Sequence, residues 1–438
     1  MDWKTIYEQK LVSVEAVAKE ICSNDVVFTS ASVAAPVCVI DEVVERTRRG
    51  EIEGVKFVGN QELTKTKMVQ AADLAGKISY NTQFYDAYDR LGYENGTVYI
   101  DAVPFSRISR SMKEYYHPNV LLVEMSEPDE NGYCYFGASG GGFACDFLHD
   151  SMIKKILVII NKYMLKANST VIPGIHVSEI TAMCRNGHEM PTYKQPEVTD
   201  IDRQVAANIL PLIPDGATIQ IGRGGLANAI GYGLENKKNL SIHSEILTDS
   251  LVELAKKGII TGTIRVGSGF GSQEVSDFCA SERVDMWPFS KVNDPYVIGS
   301  YDNFISINSC LMLDLTGQVC SESIGYRQYS SIGGQLDFVK GAALSKGGKS
   351  FITVRSTHID KATGKPVSNI MAKLPEGAVV TTPRAETMYI VTEYGAANLF
   401  LRPIEERVKS LIAIAHPDFR EELREQAIKM GILKRFNK

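Results

Sequence analysis

Short, continuous apolar runs alternate with helical patterns along most of this chain, and that alternation restricts the fold more than any other feature. The runs beginning at Val26 (VVFTS), at 55–59 (VKFVG), 97–104 (TVYIDAVP), 119–126 (NVLLVEMS) and 155–162 (KILVIINK) are rich in β-branched residues. Strands of this kind are buried on both faces, as in parallel sheets flanked by helices. Residues 11–22 and 36–46 between or before them carry the three-to-four spacing of helices. The segment 190–198 (MPTYKQPEV) is polar and contains proline, and reads as a linker. A second series follows it: a helix over 200–213, a turn at Pro214-Asp215-Gly216, and a strand at 217–222 (ATIQIG). Further strands are expected at 240–245, 264–272, 350–357 and 378–384, with paired strands around Thr316-Gly317. The charged, amphipathic stretch 404–436 reads as surface helices, with His416-Pro417-Asp418 terminating a helix. The expected class is α/β: two similar open α/β domains with mainly parallel sheets, 1–190 and 191–438, and the active site in the cleft between them.

Composition narrows the function. At 438 residues the chain exceeds one ordinary core. A net charge of -5 argues against a nucleic-acid partner, which would favour a basic surplus. No apolar run reaches the roughly 18 residues of a membrane span, and MDWKTIYEQK lacks a signal-peptide core, so a cytoplasmic protein is expected. The eight cysteines show no CxxC spacing. They read as free thiols in a reducing compartment, and no metal site is expected.

Chemistry is expected around LSIHSEILTDSL at 240–251. A strand there delivers Glu245 to its carboxyl end just before a helix, the edge of an open α/β sheet where ligands collect. A lone glutamate is more often simply solvated, but this one has glycine-rich company. Gly222-Arg223-Gly224-Gly225 follows the 217–222 strand and opens a helix, which points free backbone N–H groups outward. A second glycine-rich stretch, 333–348, reads either as turns or as a backbone-lined pocket. His243 shares a strand face with Glu245, where it either orients the carboxylate or packs as a hydrogen-bonded histidine. Asp249 and Thr248 read as caps of the following helix.

These motifs resemble the acetyl-CoA hydrolase/transferase branch of the class I coenzyme A transferases, near the 4-hydroxybutyrate and butyrate:acetate CoA-transferases. The resemblance runs nearly end to end and is carried by IHSEILTD (242–249), LDLTGQVCSESIG (313–325), GGQLDFVKGAALSKGGKS (333–350), VTEYGAANL (391–399) and IAHPDFREEL (414–423). It implies that Glu245 is the nucleophile. Its carboxylate would attack an acyl-CoA thioester to give an acyl–glutamyl anhydride. CoA thiolate would then return to form an enzyme–CoA thioester, which the acceptor acid reverses in ping-pong order. Coenzyme A is then a substrate and covalent intermediate, no cofactor is permanently bound, and the partners are acyl-CoA and short-chain carboxylic acids. The resemblance further implies that Gly333, Gly334 and Gln335, with Ser331 and Ile332 before them, line the CoA pocket, and that the protein is a homodimer or higher homo-oligomer. Lys346 is a candidate partner of a CoA phosphate, and Arg223 of a second substrate carboxylate or of an acidic neighbour.

The chain departs from the family at Gly222–Ala227, at Ser331-Ile332, at Thr29-Ser30-Ala31-Ser32 (often histidine and cysteine in relatives) and at Asp294. These departures put the acid in question more than the reaction. An acyl-CoA hydrolase would use the same glutamate. Gly137-Ala138-Ser139-Gly140-Gly141 matches the GxSxG pattern of a serine hydrolase, with His149 and His176 downstream. A non-enzymatic CoA- or nucleotide-binding regulator would instead use Gly267-Ser268-Gly269-Phe270-Gly271, although that spacing is not the dinucleotide one.

Overall fold

The computed structural model describes residues 2–30, 32–59, 65–186 and 188–434. The chain forms two compact units. One comprises 1–194 with 245–249 and 264–292; the other comprises 195–244, 250–263 and 293–438.

The first unit is built on seven strands: β1 (Val26–Thr29), β2 (Val55–Gly59), β3 (Ile78–Thr82), β4 (Val98–Ile100), β5 (Val120–Met125), β6 (Lys155–Ile160) and β7 (Ala182–Arg185). Their order is β4-β3-β2-β1-β5-β6-β7, and every neighbouring pair is parallel. Successive residues go to opposite cores. Val27, Phe57, Leu122 and Ile159 pack on one face with helix α1 (Val37–Arg48), while Phe28, Val58, Leu121 and Val158 pack on the other. Burial on both faces is the physical reason the runs are continuous rather than alternating.

The second unit holds a sheet of β8 (Thr218–Ile221), β9 (Leu240–Leu247), β10 (Ile260–Gly269), β12 (Phe304–Ser309), β13 (Lys349–Thr353), β14 (Tyr389–Thr392) and β15 (Gly395–Asn398), with the short strand β11 (Asp285–Met286) earlier in the chain than β12. The order is β11-β10-β9-β8-β12-β13-β14-β15. The pairs from β9 through β14 are parallel, and β14–β15 is an antiparallel hairpin. Strands β9 and β10 start in this unit, and their carboxyl ends are grouped with the first, where Arg265 and Val266 of β10 pair with β11.

The two units are not consecutive halves of the chain: besides 1–194, the segment bearing Glu245 (245–249) and residues 264–292 group with the first unit, as when Gly269 N donates to Ala138 O at 2.7 Å. Two expectations need correction. Residues 378–384 form no strand: Thr382 makes one isolated bridge to Val319, and Thr381 spends its hydroxyl on Ser321 N and Glu322. The terminal stretch is not a pair of merely surface helices. Helices Ile404–Ile414 and Pro417–Lys429 bury Val408, Leu411, Ile412, Leu423 and Ala427 in the second unit's core. His416 caps the second of them, its Nδ1 accepting from Asp418 N at 3.3 Å, so it begins a helix as well as following one. Among the described residues no helix is long and apolar enough to cross a membrane, and no group of three or more His, Cys, Asp or Glu could hold a metal ion.

Candidate active site

In the second unit, β8 ends at Ile221 and is followed at once by Gly222-Arg223-Gly224 and by helix α2 (Gly225–Gly233). Gly224 has φ of +113°, a backbone state that L side chains rarely adopt. It precedes the helix without a side-chain cap, so the first N–H groups of α2 are left for another partner. A Cβ on Gly222 or Gly224 would meet nothing within 4 Å, whereas one on Gly225 would sit 2.9 Å from the carbonyl of Glu197. The floor of the loop is therefore open and its last glycine is packed. Arg223 is half-buried and already engaged by other groups.

A buried amide and a half-buried one stiffen this exit. Gln220 Oε1 accepts from Ile307 N (3.1 Å) and from Asn308 Nδ2 (3.2 Å), and Gln220 Nε2 donates to Asn308 Oδ1 at 3.3 Å. Asn308 also donates to Ser306 Oγ at 3.0 Å. Sequence reasoning passed over both residues. The signal was there: a glutamine inside the apolar run ATIQIG, and an asparagine inside FISIN.

Strand β9 carries Ser244, fully buried, whose hydroxyl donates to Ile221 O at 3.2 Å. His243 is also fully buried. Its Nδ1 lies 3.1 Å from the Tyr301 hydroxyl, and its ring packs against Tyr301 and Phe304. Asp294, the departure nearby in sequence, caps a short helix by accepting from Tyr296 N at 2.8 Å.

In the first unit, Glu245 is half-buried, two residues before the end of β9. The exit beyond it is fixed by Phe270 N donating to Leu247 O at 2.9 Å and by Asp249, which accepts from Ser272 N at 3.2 Å and from the Ser272 hydroxyl. Asp249 thus begins helix α3 (Asp249–Lys256) and ties it to the turn after β10; the short helix capped by Asp294 is α4 (Pro295–Gly299). The glycines 267, 269 and 271 are packing glycines. A Cβ on them would fall 2.5 Å from Phe289, 2.6 Å from Cys279 and 2.4 Å from Asp249 respectively, so they do not form a nucleotide-binding loop.

The GxSxG segment is not a nucleophile elbow. Turns and a 3₁₀ helix follow Ser139, whose hydroxyl is buried and unpartnered. His149 pairs instead with Glu179 at 3.4 Å, and His176 Nδ1 with Ser178 at 2.7 Å.

The glycine pair after Ser331 and Ile332 sits at the start of helix α5 (Gln335–Leu344), with Gly333 at φ of +61° and Gly334 as an N-cap without a side-chain bond. Ser331 is buried, Ile332 is half-buried, and Gln335 Nε2 donates to Thr382 Oγ1 at 3.1 Å. Lys346 is not brought to this end. It is exposed, and its carbonyl accepts from Asn303 N at 2.8 Å, beside the amino ends of β12 and β13. A helix of ten residues spans about 15 Å, so α5 carries the chain from Gly334 to the opposite edge of the sheet before Lys346 is reached.

The chain thus has two mainly parallel α/β units, a carboxylate near the end of one strand, and glycine loops opening two helices. Comparison with known proteins supplies the family. The acetyl-CoA hydrolase/transferase C-terminal domain matches residues 271–427. The 4-hydroxybutyrate coenzyme A transferase of Clostridium kluyveri is 37% identical, over 97% of this chain and 98% of that protein. The butyryl-CoA:acetate CoA-transferase of Anaerostipes caccae is 33% identical over 100% of both. Among solved structures, RipA from Yersinia pestis superposes with a TM-score of 0.90 at 31% identity, covering 99% of this chain and 100% of that one. The chain belongs to the acetyl-CoA hydrolase/transferase family of coenzyme A transferases.

Proposed function

We propose that the protein transfers coenzyme A between a short-chain acyl-CoA, such as acetyl-, butyryl- or 4-hydroxybutyryl-CoA, and a free carboxylic acid, with Glu245 as the nucleophile. The observation that carries the reading is Glu245 itself, half-buried at the carboxyl end of a parallel strand in a chain of this family. Its carboxylate attacks the thioester carbonyl and the CoA thiolate leaves, giving an acyl–glutamyl anhydride. The thiolate then attacks the glutamyl carbonyl and releases the donor acid, leaving a glutamyl–CoA thioester. An acceptor carboxylate runs the two steps in reverse. Each step exchanges one acyl derivative for another, so the residues required are a nucleophile and donors for the oxyanion.

The uncapped N–H groups at the start of α2 and the Gly333-Gly334 turn before α5 are the proposed binding elements for CoA and the oxyanion. Initial rates with acyl-CoA and acceptor acid both varied should give parallel double-reciprocal lines, and Glu245→Gln should abolish transfer while leaving the thermal midpoint near wild type. Release of free CoA at the same rate with and without acceptor would instead mark an acyl-CoA hydrolase.

A further inference from the structure

Gln83 directly follows β3 on the carboxyl edge of the first unit's sheet, with its backbone N–H donating to Gly59 O at 3.0 Å. Its side chain is 1% exposed, and neither the amide nitrogen nor the amide oxygen has a hydrogen-bond partner. Buried side-chain amides are nearly always satisfied, so an amide orphaned on both atoms calls for a missing partner. Its neighbours are not short of partners. Thr82 Oγ1 bonds Phe84 O (2.9 Å) and Asp89 Oδ2 (2.8 Å), Tyr80 donates to Gly59 O at 3.2 Å, and Thr29 donates to Val58 O at 3.4 Å. The next residue, Phe84, opens a chain of aromatic contacts through Phe105 (6.0 Å) and Phe143 (5.2 Å from Phe105). One unsatisfied donor–acceptor pair therefore sits next in sequence to an apolar wall, at the sheet edge where α/β folds bind ligands.

The partner's chemistry follows from the two atoms. An alkyl chain satisfies neither. A carboxylate accepts from the nitrogen but presents negative charge to the amide oxygen and leaves it unpaired. A hydroxyl both accepts and donates, and satisfies both. We propose that Gln83 is a specificity-determining residue that reads a hydroxyl on the substrate acid, so that the enzyme prefers a short hydroxy acid to its alkyl or dicarboxylic analogue. The inference rests on the CoA-transfer reading of the protein.

The test compares 4-hydroxybutyrate, butyrate and succinate as acceptors, with acetyl-CoA as donor, in wild type and in Gln83→Met. Wild type should show kcat/KM for the hydroxy acid about tenfold or more above butyrate, since a site built around a hydroxyl leaves its own groups unpaired when the hydroxyl is missing. Gln83→Met should erase that ratio while keeping butyrate turnover, and its ligand-free thermal midpoint should match or exceed wild type. Equal wild-type use of the hydroxy and alkyl acids overturns the proposal, whatever the variant does. A uniform rise in KM for acetyl-CoA in the variant also overturns it, because the amide would then be serving the pantetheine arm. Absence of transfer to all three acids in wild type would refute the CoA-transfer reading itself, and the inference with it.

Discussion

The Ser244 hydroxyl donates to the carbonyl of Ile221 across 3.2 Å, joining the residue before Glu245 to the residue before Gly222. The bond is fully buried on the Ser244 side, and it sets where one strand exit lies relative to the other. Ser244→Ala removes the donor and leaves the backbone carbonyl short of one partner, at a cost of about 1 kcal/mol in stability. Nucleophile placement is more sensitive than stability to small shifts. The expected result is kcat reduced several-fold at nearly unchanged KM for acyl-CoA, read from initial rates alongside urea unfolding. A variant with wild-type kcat would show that this bond does not position the glutamate.

Gly222 and Gly224 separate space from strain. Both face open space, but only Gly224 has a positive φ. Gly222→Ala should therefore keep the wild-type thermal midpoint and raise KM for acyl-CoA about tenfold, because the methyl occupies the volume assigned to the ligand. Gly224→Ala should add a backbone cost of about 1–2 kcal/mol, visible as a lower midpoint. Equal melting of the two variants would contradict the backbone assignment, and unchanged KM in Gly222→Ala would remove this loop from the binding site.

The Gln220–Asn308 amide pair holds the end of β8 to β12. Asn308→Ala leaves Gln220 Nε2 without its acceptor in a buried setting, so a loss of about 1–3 kcal/mol is expected, measured by urea denaturation. Asn308→Asp should be worse above the carboxylate pKa, since the carboxylate cannot donate back to Gln220 Oε1. A variant as stable as wild type would mean that the amide pair does not hold the two strand ends together.

Glu124 is fully buried on β5, accepts from Asn161 Nδ2 at 2.6 Å and faces His188 Nε2 at 3.0 Å. The bond to Glu124 holds the His188 imidazole up to about 9, against the opposing pull of partial burial. The folded pKa is raised above the unfolded value near 6.5. The contribution is therefore complete below about 6.5 and is lost as pH climbs through 9. With the ring about one-third exposed, screening reduces it to on the order of 1 kcal/mol. The gap in thermal midpoint between wild type and His188→Gln should be widest near pH 6 and close by pH 9.5. A gap that is constant or widens with pH would contradict the pairing.

Much of this was legible in the sequence, for identifiable reasons. Runs such as NVLLVEM and KILVII are apolar at every position because both faces of the first sheet are covered, and they became β5 and β6. Strand β3, ISYNT, was missed because Ser79 and Asn81 alternate with its buried residues and dilute the apolar signal. AVVTTPR looked like a strand, but Thr381 spends its hydroxyl on Ser321 and Glu322, and Thr382 accepts from Gln335, rather than joining a ladder. The strand exit at Glu245 and the glycine loop at 222–225 were visible as local patterns. The grouping of Glu245 with the first unit was not, since it depends on contacts between residues far apart in the chain. Gln83 carried no mark of burial: a lone amide reads as polar surface until the fold encloses it, whereas Gln220 was flagged by the apolar run around it.

The central claim is that Glu245 becomes covalently loaded. The most direct measurement is to incubate the protein with acetyl-CoA or butyryl-CoA without acceptor acid, add borohydride or hydroxylamine, digest, and locate the modified residue by mass spectrometry. The account predicts a reduced or hydroxamate-bearing Glu245, absent when the glutamate is replaced by glutamine. An unmodified Glu245 in protein that is turning over the same acyl-CoA, or the mark on a different residue, would contradict it.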